Sequence, residues 1–270
     1  MKLKKYIFVL LAASLLLFTA QSCFQDMKQD PPFDYPEQPV KPPVNEDGQI
    51  FHLSFEDDYK DAESGISATA IGNPGFADGK VGKAYAGAAD SYLTFNLADF
   101  VAPLGSDLTV AFWYKLNAVV DRAGIVTIGP VTEGAPATAQ NNRTSGIRIF
   151  READDVNQRI KGNFGYGTAD GWLDGANGDL NPASPVWKYI AMTLTKGKAV
   201  LYIDGEVVVE SDLTEISWNG CDIMSIASGA PRFTEWGHLS DNSLIDEFRI
   251  YNKALTAEQI RDIIFAETEE

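Results

Sequence analysis

From Gln49 onward the chain alternates. In "IFHLSF" (50–55), Phe51, Leu53 and Phe55 alternate with Ile50, His52 and Ser54. A period of two over this length predicts a strand with one face buried. "SYLTFNL", "DLTVAFWYKL", "AGIVTIG", "SGIRIF", "VWKYIAMTLT", "KAVLYID", "EVVVE", "DIMSIAS" and "LIDEFRIY" follow. These runs are short, β-branched and aromatic-rich, and Gly, Asn, Asp or Pro separates many of them. Asp204–Gly205 falls between two of the runs and predicts a tight hairpin, because a type I′ turn needs positive φ at both central residues. Many short strands with almost no helix predict an all-β sandwich or jelly roll. One helix is marked near the end. Thr256 and Gln259 have capping-box spacing, ahead of an apolar stripe of Ile260, Ile263 and Ile264, and the helix is expected to cover a sheet edge or one end of the sandwich.

The pattern before Gln49 differs. Lys2, Lys4 and Lys5 precede the short apolar run "YIFVLLAASLLLFT" and then "AQSC". The run is too short for a spanning helix and has the flanks of an export signal. Residues 1–22 are therefore read as a lipoprotein signal peptide. Cys23 resembles the acylated first residue of a bacterial lipoprotein. Residues 23–48 hold six of the thirteen prolines and no apolar period, so they read as an extended tether. Residues 49–270 form the domain. The acidic residues just after Cys23 resemble a sorting signal, and the expected location is the outer membrane, facing the cell surface.

Charge and cysteine count narrow the function. Net charge is −16, and loss of Lys2, Lys4 and Lys5 with the leader takes it to −19. That disfavours nucleic acid and anionic polysaccharide as general partners. Of the two cysteines, Cys23 belongs to the leader signal, so Cys221 has no disulfide partner and the domain relies on its core. His52 and His238 are the two histidines. No Ser–His–Asp, Cys–His or zinc arrangement accompanies them, and both read as structural or solvated.

Four segments in this order, "LSFEDDYKDAESG", "GKVGKAYAG", "LTVAFWYKL" and "WKYIAMTLTKGKAVLYIDGEVV", followed by "LIDEFRIYNKALTAEQI", resemble the laminin-G-like jelly rolls of the concanavalin A-like lectin/glucanase superfamily. The resemblance covers roughly residues 49–267. It implies two curved antiparallel sheets, with the first and last strands neighbours and the last strand running into a terminal helix. It also implies a structural calcium ion, with Asp57 of the acidic loop and Asp246 of the last strand as its ligands. Asp58 and Asp61 offer further oxygen donors, and hard oxygen ligands suit calcium. Asp246 and Glu247 do not read as catalytic. Strict alternation sends them to opposite faces, whereas glycosidase carboxylates must converge on one bond. The Glu-x-Asp-x-x-Glu pattern of the superfamily's glucanases is missing, so no catalytic residue is assigned.

Tryptophans carry the remaining signal. Trp113 and Trp187 lie in strands and read as packing. Trp172, Trp218 and Trp236 are read as lying in Gly-, Asp- and Asn-rich loops, where a ring either plugs the end of the sandwich or offers a platform to a sugar. Trp236 leads straight into the last strand and fits the plug better. Tyr166, Asp174 and Asn177 join the candidate glycan set, with Asp170 and Asp179 nearby. The polar segment 130–145 is expected to rim a binding face. The function these features imply is capture of a glycan by a lipid-anchored surface protein of a polysaccharide-utilisation system. A glycoside hydrolase or lyase with another active site, and a protein-binding adhesion or scaffold module, remain the alternatives.

Overall fold

The computed structural model describes Val44 and residues 46–117, 122–154 and 156–268. The expected leader, Cys23 and most of the proline-rich stretch lie outside the described residues. The strands in chain order are β1 (Gln49–Leu53), β2 (Thr69–Ile71), β3 (Gly75–Asp78), β4 (Lys83–Ala86), β5 (Tyr92–Asn96), β6 (Leu108–Lys115), β7 (Arg122–Pro130) and β8 (Ile147–Asp154). They continue with β9 (Asn157–Gly165), β10 (Asp170–Leu173), β11 (Asp179–Leu180), β12 (Trp187–Thr195), β13 (Gly197–Ile203), β14 (Glu206–Leu213), β15 (Cys221–Ile226) and β16 (Leu244–Tyr251). Helix α1 (Ala257–Glu267) closes the domain.

Two antiparallel sheets form a jelly-roll sandwich. The first runs β14-β13-β12-β6-β16-β4-β3, with β1 also paired to β16. The second runs β10-β9-β8-β7-β15-β5-β2, with β11 also paired to β9. First and last strands are neighbours as expected, His52 lying opposite Arg249. The inward rows Phe51, Leu53, Phe112, Ile147, Ile149, Ile160, Phe164, Met192, Leu201 and Phe248 belong to one buried apolar cluster between the sheets. The hairpin at Asp204–Gly205 forms, with φ of 54° and 76°.

The helix corrects an expectation. Its cap is as predicted, with the Gln259 amide donating to Thr256 Oγ1 at 3.2 Å and the Thr256 amide to Gln259 Oε1 at 2.9 Å. It covers a face, however, and not an edge. Leu255, Ile260 and Ile263 pack on Ala111, Trp113, Tyr189, Ala191 and Tyr202, a second apolar cluster on the outer side of the first sheet. Outward Ala111 and Trp113 of β6 and Tyr189 and Ala191 of β12 are apolar, so these strands are covered on both sides here and read as nearly continuous apolar runs.

The last strand departs from alternation. Its pairing with β6 shifts register between Asp246 and Arg249, and Glu247 sits at φ +48°. Ile245 and Phe248 both face the core, so two residues occupy the single outward step between them. This is a β-bulge, in which the extra residue adopts a left-handed conformation. Asp246 and Glu247 therefore do not project to opposite faces. Glu247 accepts from His52 and Arg249, both outward-facing.

Candidate glycan-binding face

The outer side of the second sheet joins β7 and β8, which the alternation marked, to β9 and β10, which it did not. In β9, Gln158, Ile160, Gly162 and Phe164 point in, so Arg159, Lys161 and Asn163 point out. In β8 the outward residues are Arg148, Phe150 and Glu152. Trp172 lies opposite Asn163 and is outward as well. Trp172 is thus a strand residue, not a loop residue as the Gly- and Asp-rich surroundings suggested. Its ring is 43% exposed.

Aromatic rings make a ladder on this face. Trp172 meets Phe150 edge-on at 6.0 Å, Phe150 meets His238 at 4.7 Å, and His238 stacks on Phe233 at 4.4 Å. Phe233 and His238 come from the 229–239 loop, which crosses β7 where the Gly124 amide donates to Leu239 O. These two rings are the buried plug. Trp236 is 55% exposed beside them, which corrects its reading as the plug. His238 is structural, as expected, but buried rather than solvated.

Polar groups surround the ladder. Arg143, from the 130–145 segment, lies over the Trp172 ring at 5.3 Å and donates from Nε to Asp170 at 3.0 Å. Asn163 donates to the same Asp170 carboxylate at 2.8 Å. Arg143 also donates to Asn141, whose amide donates to Glu235 of the crossing loop. The 130–145 segment therefore rims the face. Arg148 is fully buried beneath it and donates to the carbonyls of Ser145 and Asn142. Burial pushes its guanidinium down to about 10. Such a buried cation anchors the rim loop through hydrogen bonds, because leaving it unmatched is costly.

Glu152 and Asp174 lie 2.9 Å from the same Lys161 ammonium, so their carboxylates are within about 6 Å of one another. That separation resembles a retaining glycosidase pair. Their electrostatics do not. Hydrogen bonds from His238 and Lys161 hold Glu152 down at about 2. A general acid needs one carboxyl raised so that it carries a proton. Here the ammonium between them stabilises both charges, which suits fixed hydrogen-bond acceptors.

The other candidates separate from this face. Trp218 is half-buried, packs against the core and donates to Gly105 O at 2.9 Å. Tyr166 also packs against the core. Both are therefore packing residues. Asn177 is exposed on the turn after β10 and Asp179 is paired with Arg159, whereas Asp174 stays on the face, reaching both Lys161 and Arg159. Trp113 is buried and donates to Glu267 at 2.7 Å, in keeping with its packing role. Burial pushes the Cys221 thiol up to about 11, so it behaves as a small apolar group.

Asp57 and Asp246 do not fit a calcium ion as arranged. The Asp246 carboxylate accepts the amides of Lys80, Val81 and Glu247, at 2.8–2.9 Å. Those N–H dipoles point positive ends at the position a cation would take. Asp57 is paired with Lys83 at 2.6 Å. Asp61 is buried and caps its own loop, accepting from His52, Glu63 and Ser64. Among the described residues no group of three His, Cys, Asp or Glu side chains gathers as a metal site. Burial and the neighbouring Glu247 raise the Asp246 carboxyl to about 7, yet it is fully buried and has no route to a substrate.

The deeper clefts lie elsewhere. One of about 410 Å³ sits beneath the end of α1, lined by His52, Glu247, Arg249 and Glu267. Its charges are paired to each other, and no exposed aromatic ring faces it. The aromatic face is the better candidate for a sugar, which presents apolar C–H groups to a ring and hydroxyls to charges around it.

Sandwich and aromatic face together define a lectin-like β domain. Residues 87–261 match a laminin-G family model of the concanavalin A-like lectin/glucanases superfamily, and the chain belongs to that superfamily. No curated protein matches the chain. Among solved structures it is similar to domain 4 of a GH43 extracellular arabinanase from Geobacillus stearothermophilus, in complex with arabinotriose. The TM-score is 0.57 at 20% identity, over 80% of this chain and 97% of that one. It is similar also to the binding domain of botulinum neurotoxin DC in complex with SialylT, with TM-score 0.56 and 13% identity, over 81% of this chain and 51% of that one. The binding domain of Paraclostridial Mosquitocidal Protein 1 is a third, at 0.52 and 16%, over 81% and 52%. This chain thus spans about half of the two toxin domains. Identities this low show a shared fold, and neighbours of this fold include carbohydrate-binding domains.

Proposed function

We propose that this protein is a non-catalytic glycan-binding protein that holds a neutral polysaccharide at the cell surface, anchored through lipidated Cys23. The observation that carries the reading is the exposed Trp172 ring on an otherwise ordered outer sheet face, ringed by Arg143, Asp170, Lys161 and Asp174. Exposed aromatics set in a fixed polar frame are the chemistry of sugar stacking, and the ring meets the protein only through the edge of Phe150 and the Arg143 guanidinium over it, leaving 43% of Trp172 exposed. The Lys161-bridged carboxylates support binding over hydrolysis, since hydrogen bonds from His238 and Lys161 hold Glu152 in its charged form. Two solved neighbours are complexes with arabinotriose and SialylT, and by analogy a sugar ligand suits this fold. The proline-rich stretch after Cys23 would act as the spacer, and a polysaccharide-utilisation system is the setting such an anchored binder serves.

The test is affinity electrophoresis of the purified protein through soluble polysaccharides, with calcium and with chelator. Retardation by a glycan without release of reducing ends is expected, weakened in Trp172→Ala and unchanged by chelator. Release of product would make the protein an enzyme. Absence of retardation across the panel would move the reading to a protein-binding scaffold. Labelling with a membrane-impermeant reagent in intact cells tests the location, and Cys23→Ala should free the protein from the membrane fraction.

A further inference from the structure

Trp236 is not explained by a site centred on Trp172. Its ring is more exposed than that of Trp172, and its neighbours are fixed to the same face. Glu235 bonds Asn141, His238 bonds Glu152 at 3.0 Å, and Gly237 lies against Arg122 at the start of β7. Trp172 is on β10, three strands away. With neighbouring strands about 4.8 Å apart, the two exposed rings stand on the order of 15 Å from each other. A single sugar ring cannot touch both.

The ground between them is continuous. Phe150 and His238 floor it, and the half-buried Glu152 and Lys161 lie alongside. The hydrogen-bonded chain Glu235–Asn141–Arg143 forms one wall and ends over the Trp172 ring. Asp170, Glu152 and Asp174 are paired with Arg143 and Lys161, and Glu235 accepts from the Asn141 amide, so the path offers fixed donors and acceptors with little net charge. That suits hydroxyls and not a charged group.

We infer that the face binds an internal stretch of a neutral polysaccharide, laid diagonally across β10, β9, β8 and β7, with one sugar on Trp172 and another, several units along, on Trp236. This rests on the glycan reading above and goes further by fixing ligand length and path. A site for a chain end would close one side with a wall, whereas both exposed rings here stand open to solvent.

The experiment is calorimetric titration of the purified protein with cello-, xylo-, manno- and arabino-oligosaccharides of one to six units. For the series that binds, affinity is expected to rise by at least about tenfold between two and five units and then level off. Trp236→Ala should lower affinity for the six-unit ligand about fivefold or more and leave the two-unit ligand unchanged, with Trp236→Phe restoring most of the loss. Trp236 is exposed, and an unaltered circular dichroism spectrum would show that the variant folds. Equal affinity for one unit and six, or full six-unit affinity in Trp236→Ala, would overturn the extended path while leaving glycan binding intact. No heat of binding with any series, together with no retardation by any polysaccharide, would overturn the glycan reading itself.

Discussion

Arg249 is the test of how α1 is held. It is buried on the outer side of β16 and pairs with Glu247 and with Glu267 of the helix, while Trp113 Nε1 donates to Glu267 at 2.7 Å. Glu247 also accepts from His52 Nε2 at 2.8 Å. Two carboxylates thus share one guanidinium. Removing the guanidinium leaves both carboxylates buried without their cation, Glu247 keeping His52 and Glu267 keeping the Trp113 N–H. Removing one partner of a buried pair costs about 3–5 kcal/mol, so Arg249→Met should fall in that range. Glu267→Ala leaves Arg249 paired with Glu247 but orphans the Trp113 N–H and part of the guanidinium, for about 2–3 kcal/mol. Glu267→Gln keeps an acceptor for Trp113. Burial already pushes the Glu267 carboxyl up, which means its charge is disfavoured there, so this variant should cost about 1 kcal/mol or less. Urea unfolding of the three variants, followed by tryptophan fluorescence, measures the order through the midpoint at constant slope. An Arg249→Met protein within about 1 kcal/mol of the parent would refute the reasoning, as would Glu267→Gln being as costly as Glu267→Ala.

Asp246 sets a pH dependence of opposite sign to the usual carboxylate. Its folded value, about 7, lies above its ordinary 3.8, so its contribution is full below pH 4 and is lost as pH rises through 7. Asp246→Asn should be less stable overall, because an amide nitrogen would face amide donors, yet should flatten that fall in a urea series from pH 4 to 8. Thr256→Ala removes the oxygen that accepts from Gln259 and should lower stability by about 1 kcal/mol, read from the same denaturation curves. Gly146→Ala should be far worse, with little folded protein recovered. Its φ is +76° and a Cβ would stand 1.9 Å from Ile128 O, a backbone atom of the neighbouring strand that cannot yield.

Much of the sandwich was legible in the chain because period-two alternation and turn chemistry are local. "LTVAFWYKL" and "KAVLYIDGEVV" announce strands and a hairpin without reference to anything distant, and Thr256 with Gln259 announces a helix start. The strand β9 escaped because its outward row is Arg159, Lys161 and Asn163 and its inward row includes Gly162. Polar residues on one side and a missing side chain on the other weaken an apolar signal. The readable clue was the alternation itself, with Ile160 and Phe164 four residues apart. Missing β9 made Trp172 look like a loop residue. The bulge at Asp246–Glu247 was also invisible, since a positive φ at a glutamate is imposed by the pairing of β16 with its neighbours and not by its own preference.

The sequence by itself determined the class of fold and the capped terminal helix. Hydrophobic periodicity, turn residues and charge are properties of neighbours along the chain. Tertiary structure alone decided the site. Arg143, Phe150, Glu152, Lys161, Trp172 and Trp236 come from separate strands and loops, and only sheet registration and the crossing of the 229–239 loop set them on one face. It also decided which tryptophans are free. Trp218 and Trp236 sit in similar polar surroundings in the sequence, yet one donates to Gly105 against the core and the other stands in solvent. Burial is a property of what packs on a residue from elsewhere in the chain, and no local pattern carries that information.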